Sequence, residues 1–502
     1  MRYLRKFSLL FIPVLLFFFC LFTSCKDEFS DNPNHKLSFS VDTLYFDTVF
    51  STIGSATKRI MVHNKNKDAL RISQIELVSG SRSAFKINVN GENNVNHQFF
   101  NIEIQGKDSL YIFVGVKVEE MGKDSAVIKE ESLRFVTNGN TQEVILSTVA
   151  QDVEILRGRT IYNDTILTGT KPYLIYDSLI VMPGKTLKLE AGCRLYFHKD
   201  AYLFIWGYLN AEGTRDNPIT MRGDRFDQIN FSTPVPYNDV AGQWNGVYLA
   251  GNDGKHILKH VNMNSGIIGI RAINTEEDVI PSQTPLIEII NCRIRNFSYR
   301  GLDIVNFDLA VINSEISNTG DYTVFLNGGK HTFIHTTIAN YFNNGKVSIQ
   351  SSSRPGGAEA KPALMIENVT KSAPMETTFI NSVVMGSMGT EFSLATRFPE
   401  EYNGIFRNSY IRRSNIYELP QFRGIRWYEK NDIVFRNIYL NYEDEAAKRY
   451  DFSPAPFEEC PLRHLGEDIG LLEYDLSIDL KGNPRPTESP DAGAYQWLPA
   501  EE

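Results

Sequence analysis

The acidic and basic side chains that could form a catalytic pair in this chain are few, and they lie between residues 293 and 321. Asp303, Arg300 and Glu315 are the candidates. Glycoside hydrolases need two carboxyl groups held about 5–10 Å apart. Arg293 beside Glu315 is more typical of a surface ion pair than of acid–base chemistry. The residues leave two hypotheses open, an enzyme that cleaves a polysaccharide and a protein without catalytic activity, and they favour the second.

Histidine and cysteine spacing argues against a metal centre. His256 and His260, like His331 and His335, are four residues apart. On a strand this spacing separates two side chains by ~13 Å, which is too far to share one ion. No cysteine pair has metal-ligand spacing, and no phosphate-binding or dinucleotide-binding motif occurs in a suitable setting. We therefore predict no metal site and no cofactor.

Other side chains suit the binding of a sugar rather than its cleavage. Trp244 and Tyr299 carry flat rings on which a sugar could stack, and Asn306 and Asn327 carry amides that could hydrogen-bond its hydroxyl groups. Further aromatic residues of this kind are Trp206, Tyr248 and Tyr410. Most aromatic residues of a β-rich protein pack in its core, so this glycan site is a hypothesis about a few of them.

Apart from Trp206, Trp244 and Tyr248, these candidates lie in a stretch that repeats itself from residue 256 to residue 340 and more weakly to about residue 413. Each repeat contains a polar anchor, and the six anchors are His260, Asn291, Asn313, His335, Asn381 and Asn408. Two residues before the anchors stand Leu258, Ile289, Val311, Phe333, Phe379 and Phe406. Three residues after them stand Met263, Ile294, Ile316, Ile338, Val383 or Val384, and Ile411. Two successive anchor spacings are 22 residues, and a period in the twenties is typical of a solenoid.

The residues around each anchor indicate what kind of solenoid this is. Short runs of β-forming residues flank the anchor without a helical pattern between them, so each period is a coil of strands. Stacked coils place equivalent residues ~4.8 Å apart, which lets the amide of one Asn reach the next. Asn also tolerates the left-handed backbone of a tight bend. We predict that the anchors form a structural ladder at one turn of a parallel β-helix.

A second set of motifs precedes the repeats and supports the same fold. It comprises Leu179-Ile-Val-Met-Pro-Gly184, Gly207-x-Leu209-x-Ala211-x-Gly213 and Trp244-x-Gly246-Val247-x-Leu249. This succession resembles the opening coils of right-handed parallel β-helix repeat proteins of bacterial envelopes. That class includes polysaccharide lyases, glycoside hydrolases and adhesins, so the resemblance implies the fold and leaves function open. A lyase of this class would hold Ca²⁺ with acidic residues beside a basic one, and Ca²⁺ is expected only in that case.

Three long segments interrupt the coils: residues 226–243, 276–285 and 350–362. The second and third leave their coils 16 and 15 residues after an anchor, so we expect them to project from one edge of the solenoid. Their coils are three apart, or ~14 Å. Such loops could wall a cleft for a sugar chain, with the outward polar candidates named above on its floor. Loops over an ordinary solvated face are the alternative.

Residues 37–152 show a different pattern of roughly seven short strands separated by polar turns, which fits an immunoglobulin-like β-sandwich. The motifs Leu44-x-Phe46-Asp47-Thr48, Leu70-x-Ile72-x-x-Ile75 and Leu133-x-Phe135-x-Thr137-Asn138-Gly139 carry the pattern. They resemble major-sperm-protein-like sandwich modules. Such modules bind or space other domains, and the resemblance implies that role here.

The first 24 residues have the composition of a secretory signal peptide. Three basic residues precede an apolar run from Leu9 to Phe22, which is too short for an ordinary membrane span. A plain secretory leader and a signal anchor are the alternatives to a lipoprotein leader.

Thr23-Ser24-Cys25 ends this leader and resembles the lipobox of bacterial lipoproteins. The resemblance implies that Cys25 is acylated, with chains such as palmitate, and becomes the mature N-terminus. Phe22 departs from the Leu that many lipoboxes carry. Lys26-Asp27-Glu28 resembles the export signal of surface lipoproteins of the Bacteroidetes. We expect residues 25–36 to be a flexible tether.

The remaining segments complete the domain plan. Residues 153–413 are assigned to the β-helix and residues 414–502 to a C-terminal coil and cap. The ending Pro490-Asp491-Ala492-Gly493-Ala494-Tyr495 resembles the terminal segment of bacterial β-helix repeats. The resemblance implies that a Gly-Ala-Tyr strand closes the last coil and covers the exposed sheet edge.

The charge of the chain limits its partners. With 51 basic and 60 acidic residues its formal net charge is −9, or −12 without the three basic residues of the leader. An acidic chain is a poor partner for nucleic acid. We predict an all-β lipoprotein of the outer membrane, at the cell surface or alternatively facing the periplasm. It would display a β-helix that binds a glycan or an envelope protein. The alternatives are a polysaccharide lyase or glycoside hydrolase and a structural spacer.

Overall fold

The computed structural model describes residues 29–229, 234–250, 254–274, 286–342, 361–368, 375–397, 402–413, 421–442, 449–470 and 474–500. Within these residues the regular secondary structure is nearly all β, and the only helical segments are the 3₁₀ turns Gly80–Arg82 and Tyr237–Asp239. No helix of the described chain is long and apolar enough to cross a membrane. The chain divides into two compact units, residues 1–152 and 153–502. The all-β fold class is confirmed.

The first unit is a sandwich of two five-stranded sheets. In spatial order, one sheet consists of Ser38–Phe39, Lys58–His63, Ser109–Val116, Phe85–Val89 and Glu92–Asn93. The other consists of Thr43–Phe50, Asn140–Gln151, Val127–Thr137, Leu70–Leu77 and Gln98–Ile104. Successive side chains of a strand point to opposite faces, so Ile112 and Val114 are buried while Tyr111 and Phe113 are exposed. The N-terminal sandwich is confirmed.

Residues 29–36, the described part of the predicted flexible tether, contact the sandwich. Phe29 forms a β-bridge with Ala69, and the guanidinium of Arg71 lies 4.1 Å from the ring centroid of Phe29. Asn138 Nδ2 donates to a backbone carbonyl of the same segment at 3.0 Å. A cation over an aromatic face stabilises such a contact. The described part of the tether is therefore ordered against the sandwich.

The second unit is a parallel β-helix whose coils contribute strands to three faces. Face A consists of Thr165–Leu167, Thr186–Leu189, Tyr208–Glu212, Lys255–Lys259, Leu286–Ile290, Asp308–Ile312, Gly329–Ile334, Met375–Ile380, Tyr402–Arg407 and Phe422–Arg423. Face B consists of Arg194–Phe197, Ile219–Gly223, Val261–Asn264, Arg293–Phe297, Glu315–Thr319, Thr337–Asn340, Val383–Gly386, Tyr410–Ile411 and Arg426–Trp427. Face C consists of Tyr202–Ile205, Gly246–Leu249, Ile270–Ile273, Leu302–Val305, Val324–Asn327, Leu364–Asn368 and Phe392–Thr396.

Two further sets of strands complete this unit. Glu154–Ile161 opens the β-helix and pairs in parallel with Tyr173–Val181, which runs from face B into face C. Outside the three faces lie two antiparallel hairpins. They are Gln228–Ile229 with Val235–Pro236, and Phe435–Asn437 with Asp451–Pro454.

Equivalent positions of the sequence repeat pair with each other on neighbouring coils. On face A the column before the anchors pairs in the order Leu258, Ile289, Val311, Phe333, Phe379 and Phe406. On face B the column after the anchors runs Met263, Ile294, Ile316, Ile338, Val384 and Ile411. All these side chains share one core. The ring of Phe379 is stacked between those of Phe333 and Phe406, with centroids 4.4 Å and 5.2 Å away. The predicted parallel β-helix is confirmed.

The C-terminal part of the chain covers one flank of the β-helix. Two short strands of faces A and B form the last described coil. Gly493 N donates to the carbonyl of Asn381 at 2.7 Å, and Ala494 N donates to Thr337 Oγ1 at 3.0 Å. These partners belong to coils before the end, so the Gly-Ala-Tyr motif lies along the side and does not close the last coil. We name residues 462–497 the flank segment.

Candidate functional site

The six anchors occupy the turn between face A and face B. All have a left-handed backbone, with φ between 46° and 55°. Asn313 Nδ2 donates to Asn291 Oδ1 at 2.7 Å, and Asn381 Nδ2 donates to His335 Nε2 at 3.1 Å. Burial lowers the pKa of His335 well below its ordinary value, so the ring stays neutral and can accept this hydrogen bond. The side chains join neighbouring coils.

The residues that follow the anchors form a second ladder inside the same turn. Ser314 Oγ accepts from Cys292 N at 3.0 Å, and Ser382 Oγ accepts from Thr336 N at 3.2 Å. Ser409 Oγ accepts from Ser382 N at 3.0 Å. Burial raises the pKa of the Cys292 thiol to about 12, which keeps it protonated and unreactive at neutral pH. The hydrogen bonds of this turn are therefore structural, and its thiol is not a nucleophile at neutral pH.

Glu315, a catalytic candidate, lies beneath the flank segment and is 4% exposed. Its carboxylate accepts hydrogen bonds from Ser317 Oγ at 2.5 Å and from the Tyr495 hydroxyl. Arg293 donates to Tyr495 Oη at 3.3 Å and to the Leu480 carbonyl at 3.2 Å. The expected surface ion pair of Arg293 and Glu315 is instead a buried attachment point for the C-terminal chain. Glu315 does not face a substrate in this arrangement.

Asp303 and Arg300 come together on face C in a chain of alternating charges. Asp303 Oδ2 accepts from Arg271 Nε at 2.7 Å, and Asp303 Oδ1 accepts from Arg300 Nη1 at 2.7 Å. Arg300 Nε also donates to Asp321 Oδ2 at 2.8 Å. Asp303 is only 2% exposed, although the alternation of its strand points it outward. Guanidinium groups engage both of its carboxylate oxygens, so Asp303 is not the accessible acid suggested by the sequence.

Arg300 is held among charges and aromatic rings. Burial alone would lower the pKa of Arg300, but hydrogen bonds and charges from Asp321 and Asp303 outweigh it, and the net shift is upward. The guanidinium carbon lies 4.2 Å from the ring centroid of Phe325 and 4.8 Å from that of Tyr299. Tyr299, expected to face a sugar, therefore packs against Arg300 through a cation–π contact.

Three other side chains assigned to glycan binding are buried. The Trp244 ring is fully buried and stacks on Phe197 with centroids 4.2 Å apart. Asn306 has a left-handed φ of 56°, and its Nδ2 donates to the Asn274 carbonyl at 2.9 Å. Asn327 is 8% exposed. These side chains support the coils, and the hypothesis that they bind a sugar does not fit their burial.

A group of outward-facing aromatic rings lies on face C near the start of the β-helix, and all of them except the exposed Trp206 are half-buried. We name Tyr202, Phe204, Trp206 and Tyr248 the aromatic platform. The first three alternate along one stretch of chain and point to the same outward side. Tyr248 on the adjacent coil is parallel to Phe204, with centroids 6.0 Å apart and planes 9° apart. Phe204 lies 4.9 Å from Trp206, which is 48% exposed.

The platform continues along the axis of the β-helix. Tyr248 pairs with Arg271 on the next coil, and Arg271 pairs with Asp303 on the coil after that. Beside them Ile273 is 39% exposed. One outward surface thus offers aromatic rings, an aliphatic side chain and a guanidinium group. Such a surface suits molecules that present both apolar faces and hydroxyl groups.

Sequence reasoning named Trp206 and Tyr248 among several aromatic residues but did not recognise the platform. The available signal was the spacing of Tyr202, Phe204 and Trp206, which places two rings on one side of the strand Tyr202–Ile205 and the third ring directly after it. Leu203 and Ile205 alternate with them and are fully buried. A search for aromatic residues at every second position would have found this surface.

Parts of the predicted site lie outside the described residues. These are Cys25, the segment 276–285 and most of 350–362, so acylation and the walls of a cleft stay predictions. The described part of 226–243 forms a short hairpin and a 3₁₀ turn. Within the part of the chain that the structure describes, no group of three His, Cys, Asp or Glu side chains is placed to hold a metal ion.

Comparison with known proteins establishes no family. No protein-family model matches the chain. Protein bark beetle of Drosophila melanogaster is 39% identical over 77 residues. The match spans 14% of this chain and 2% of that relative. It is therefore a local similarity between two chains of different extent.

Solved structures with similar parts cover about a quarter of the chain. A PapD-like (ASH) domain of human CEP192 matches with 10% identity over 26% of this chain and 97% of that domain, at a TM-score of 0.17. A family 123 glycoside hydrolase from Clostridium perfringens matches with 10% identity over 23% of this chain and 25% of the enzyme, at a TM-score of 0.16. The VesB protease of Vibrio cholerae has 11% identity over 23% and 32% of the two chains, at a TM-score of 0.17. Similarity this low gives no basis for a function.

Proposed function

We propose that this chain is a lipid-anchored protein of the bacterial envelope whose β-helix binds a glycan on the aromatic platform without cleaving it. The observation that carries the proposal is the outward clustering of four aromatic rings on two neighbouring coils. Aromatic rings that cluster on the outward side of a folded domain, with Trp206 exposed among them, are a candidate site of interaction. Flat rings with polar groups beside them suit the apolar faces and hydroxyl edges of sugar rings.

The surroundings of the candidate acids support binding rather than catalysis. A general acid or a nucleophile must reach the substrate. Asp303 is covered by two arginines, and Glu315 is covered by Tyr495. Cleavage by these residues would require release of the contacts that bury them. The aromatic platform needs no such change to bind.

The proposed glycan site is tested with two variants of the platform. Glycan arrays would identify a ligand for the chain without its leader, and titration calorimetry would measure its affinity. We expect Trp206→Ala and Tyr248→Ala each to weaken binding at least tenfold, or about 1.4 kcal/mol. Phe457→Ala is the matched control, because Phe457 is 51% exposed and Trp206 is 48% exposed. That variant should bind as the unaltered protein does.

Three outcomes would contradict this proposal. Release of sugar products during the titration would favour a lyase or a hydrolase. Absence of any bound glycan, with protein shown to be folded, would favour the structural spacer. Equal affinity of the platform variants and the unaltered protein would move the binding site elsewhere.

The proposed anchor depends on Cys25 and the leader that precedes it. Two or more acyl chains anchor a protein stably, whereas a single chain binds only marginally. In a bacterial host, the unaltered protein should incorporate labelled palmitate and be digested by protease added to intact cells. Cys25→Ser should lose the label. A labelled protein that resists the protease would face the periplasm.

A further inference from the structure

The outward column of face C places one residue on each coil at a regular spacing. Phe204, Tyr248, Arg271 and Asp303 occupy paired positions of four consecutive coils. Consecutive coils are ~4.8 Å apart, so the column extends over ~14 Å along the axis. For each sugar ring, an extended polysaccharide advances by a distance comparable to that between two neighbouring coils. A chain parallel to the axis would therefore place one sugar over each coil.

The charges at the end of this column are balanced. Arg271 Nε and Nη2 both contact Asp303 Oδ2, at 2.7 Å and 2.6 Å. Arg300 bridges Asp303 and Asp321. Two cations and two anions leave no net positive charge for an acidic sugar. A sugar carboxylate brought to Arg271 would meet the carboxylates of Asp303 and Asp321 together with the two guanidinium groups, so it would gain no net charge attraction there.

Arg271 keeps the capacity to bind uncharged groups. A guanidinium has five N–H donors, and contacts with Asp303 engage two of its nitrogen atoms. The Arg271 side chain is 32% exposed next to Tyr248. Its outward N–H groups can therefore donate to hydroxyl oxygens of a sugar stacked on that ring. Asp303 acts as a positioning residue that holds the guanidinium in place.

Resting on the proposed function, we infer that the ligand of the aromatic platform is an uncharged polysaccharide lying parallel to the axis of the β-helix. The aromatic rings bind its apolar faces and Arg271 binds its hydroxyl groups. Asp303 excludes acidic chains by neutralising Arg271.

Calorimetry with two series of oligosaccharides tests this inference. One series is of uncharged gluco-oligosaccharides and the other of oligogalacturonates of the same lengths, each at low and high salt. We expect affinity for the uncharged series to rise with length until the chain spans the platform, without dependence on salt. The oligogalacturonates should bind at least tenfold more weakly.

The variant Asp303→Asn reverses the expected selectivity. It leaves Arg271 without a charged partner, so oligogalacturonate binding should appear and should weaken as salt increases. Glu288→Gln is the matched control, because Glu288 is a buried carboxylate paired with Lys255 at 2.6 Å on face A. It should bind as the unaltered protein does.

The outcomes separate this inference from the proposed function. Oligogalacturonates that bind as tightly as the uncharged series would overturn the inference, while loss of that binding in Trp206→Ala would still support a glycan site on the platform. Binding that Trp206→Ala leaves unchanged would refute the platform itself. If Asp303→Asn does not fold, the comparison of the two series on the unaltered protein decides the inference alone.

Discussion

Replacing Asn313 by alanine tests whether the anchor ladder stabilises the β-helix. Asn313 has a left-handed φ of 46°, a conformation that costs alanine about 1–2 kcal/mol. Its Nδ2 donates to Asn291 Oδ1 at 2.7 Å and to the Ile478 carbonyl at 3.3 Å. Its Oδ1 accepts from Arg485 Nη2 at 2.8 Å. The alanine variant loses all of these contacts.

The expected destabilisation follows from these contributions. Each lost hydrogen bond contributes about 1 kcal/mol, and Arg485, which is 7% exposed, loses a buried acceptor at a cost of about 1–3 kcal/mol. Together with the backbone strain, the free energy of unfolding should fall by about 4–7 kcal/mol. This is a large change compared with the stability of ordinary domains.

Urea unfolding followed by tryptophan fluorescence measures this change. Asn313→Gly is the matched control, because glycine adopts the left-handed conformation without strain and loses the same hydrogen bonds. We expect the glycine variant to be more stable than the alanine variant by about 1 kcal/mol or more. Equal stability of the two variants would refute the role of the backbone conformation. A loss below about 1 kcal/mol in both would refute the role of the hydrogen bonds.

Three more predictions concern the core and the buried titratable groups. Phe379→Ala should reduce the free energy of unfolding in urea by about 3–5 kcal/mol, because the fully packed ring leaves a cavity; a loss below about 1 kcal/mol would contradict this packing. Burial and the charge of Glu315 raise the pKa of Tyr495 well above its ordinary value of 10.0, so the folded state retains a proton that the unfolded state releases. Stability measured against pH should therefore fall above about pH 10, and Tyr495→Phe should show a smaller fall and faster proteolysis of the flank segment. Burial lowers the pKa of His331 from 6.5 to about 3. Between pH 6.5 and about pH 3 the unfolded state therefore binds a proton that the folded state does not, and stability should decline as the pH falls through this range. His331→Leu should flatten that decline. An unchanged decline in stability at acidic pH would show that His331 does not cause it.

The parts of the fold that could be read from the sequence are those that each coil repeats locally. Leu258 and Phe333 could be aligned because parallel stacking places equivalent residues in register, and that register recurs along face A. The anchors were recognisable because a left-handed turn restricts the residue type at one position. The sandwich was recognisable from the alternation of apolar residues along its strands.

The candidate site could not be read in the same way. The sequence predicted an outward Asp303 and a Trp244 that could stack on a sugar, but the alternation of a strand does not determine what covers a side chain. Arg271, which covers Asp303, lies on the neighbouring coil and 32 residues earlier in the sequence. Trp244 belongs to a coil that turns its ring inward onto Phe197. Such contacts depend on the shape of several coils together, which no local pattern encodes.

The sequence by itself determined the class of fold, the turn ladder and the apolar columns of the core, because these follow from short-range backbone preferences and a repeated register. Only the tertiary structure decided which polar and aromatic side chains stay accessible. Tyr495 reaches Glu315 across 180 residues of sequence. Accessibility is set by such distant segments, and this is why the predicted acids are buried while Trp206 remains exposed.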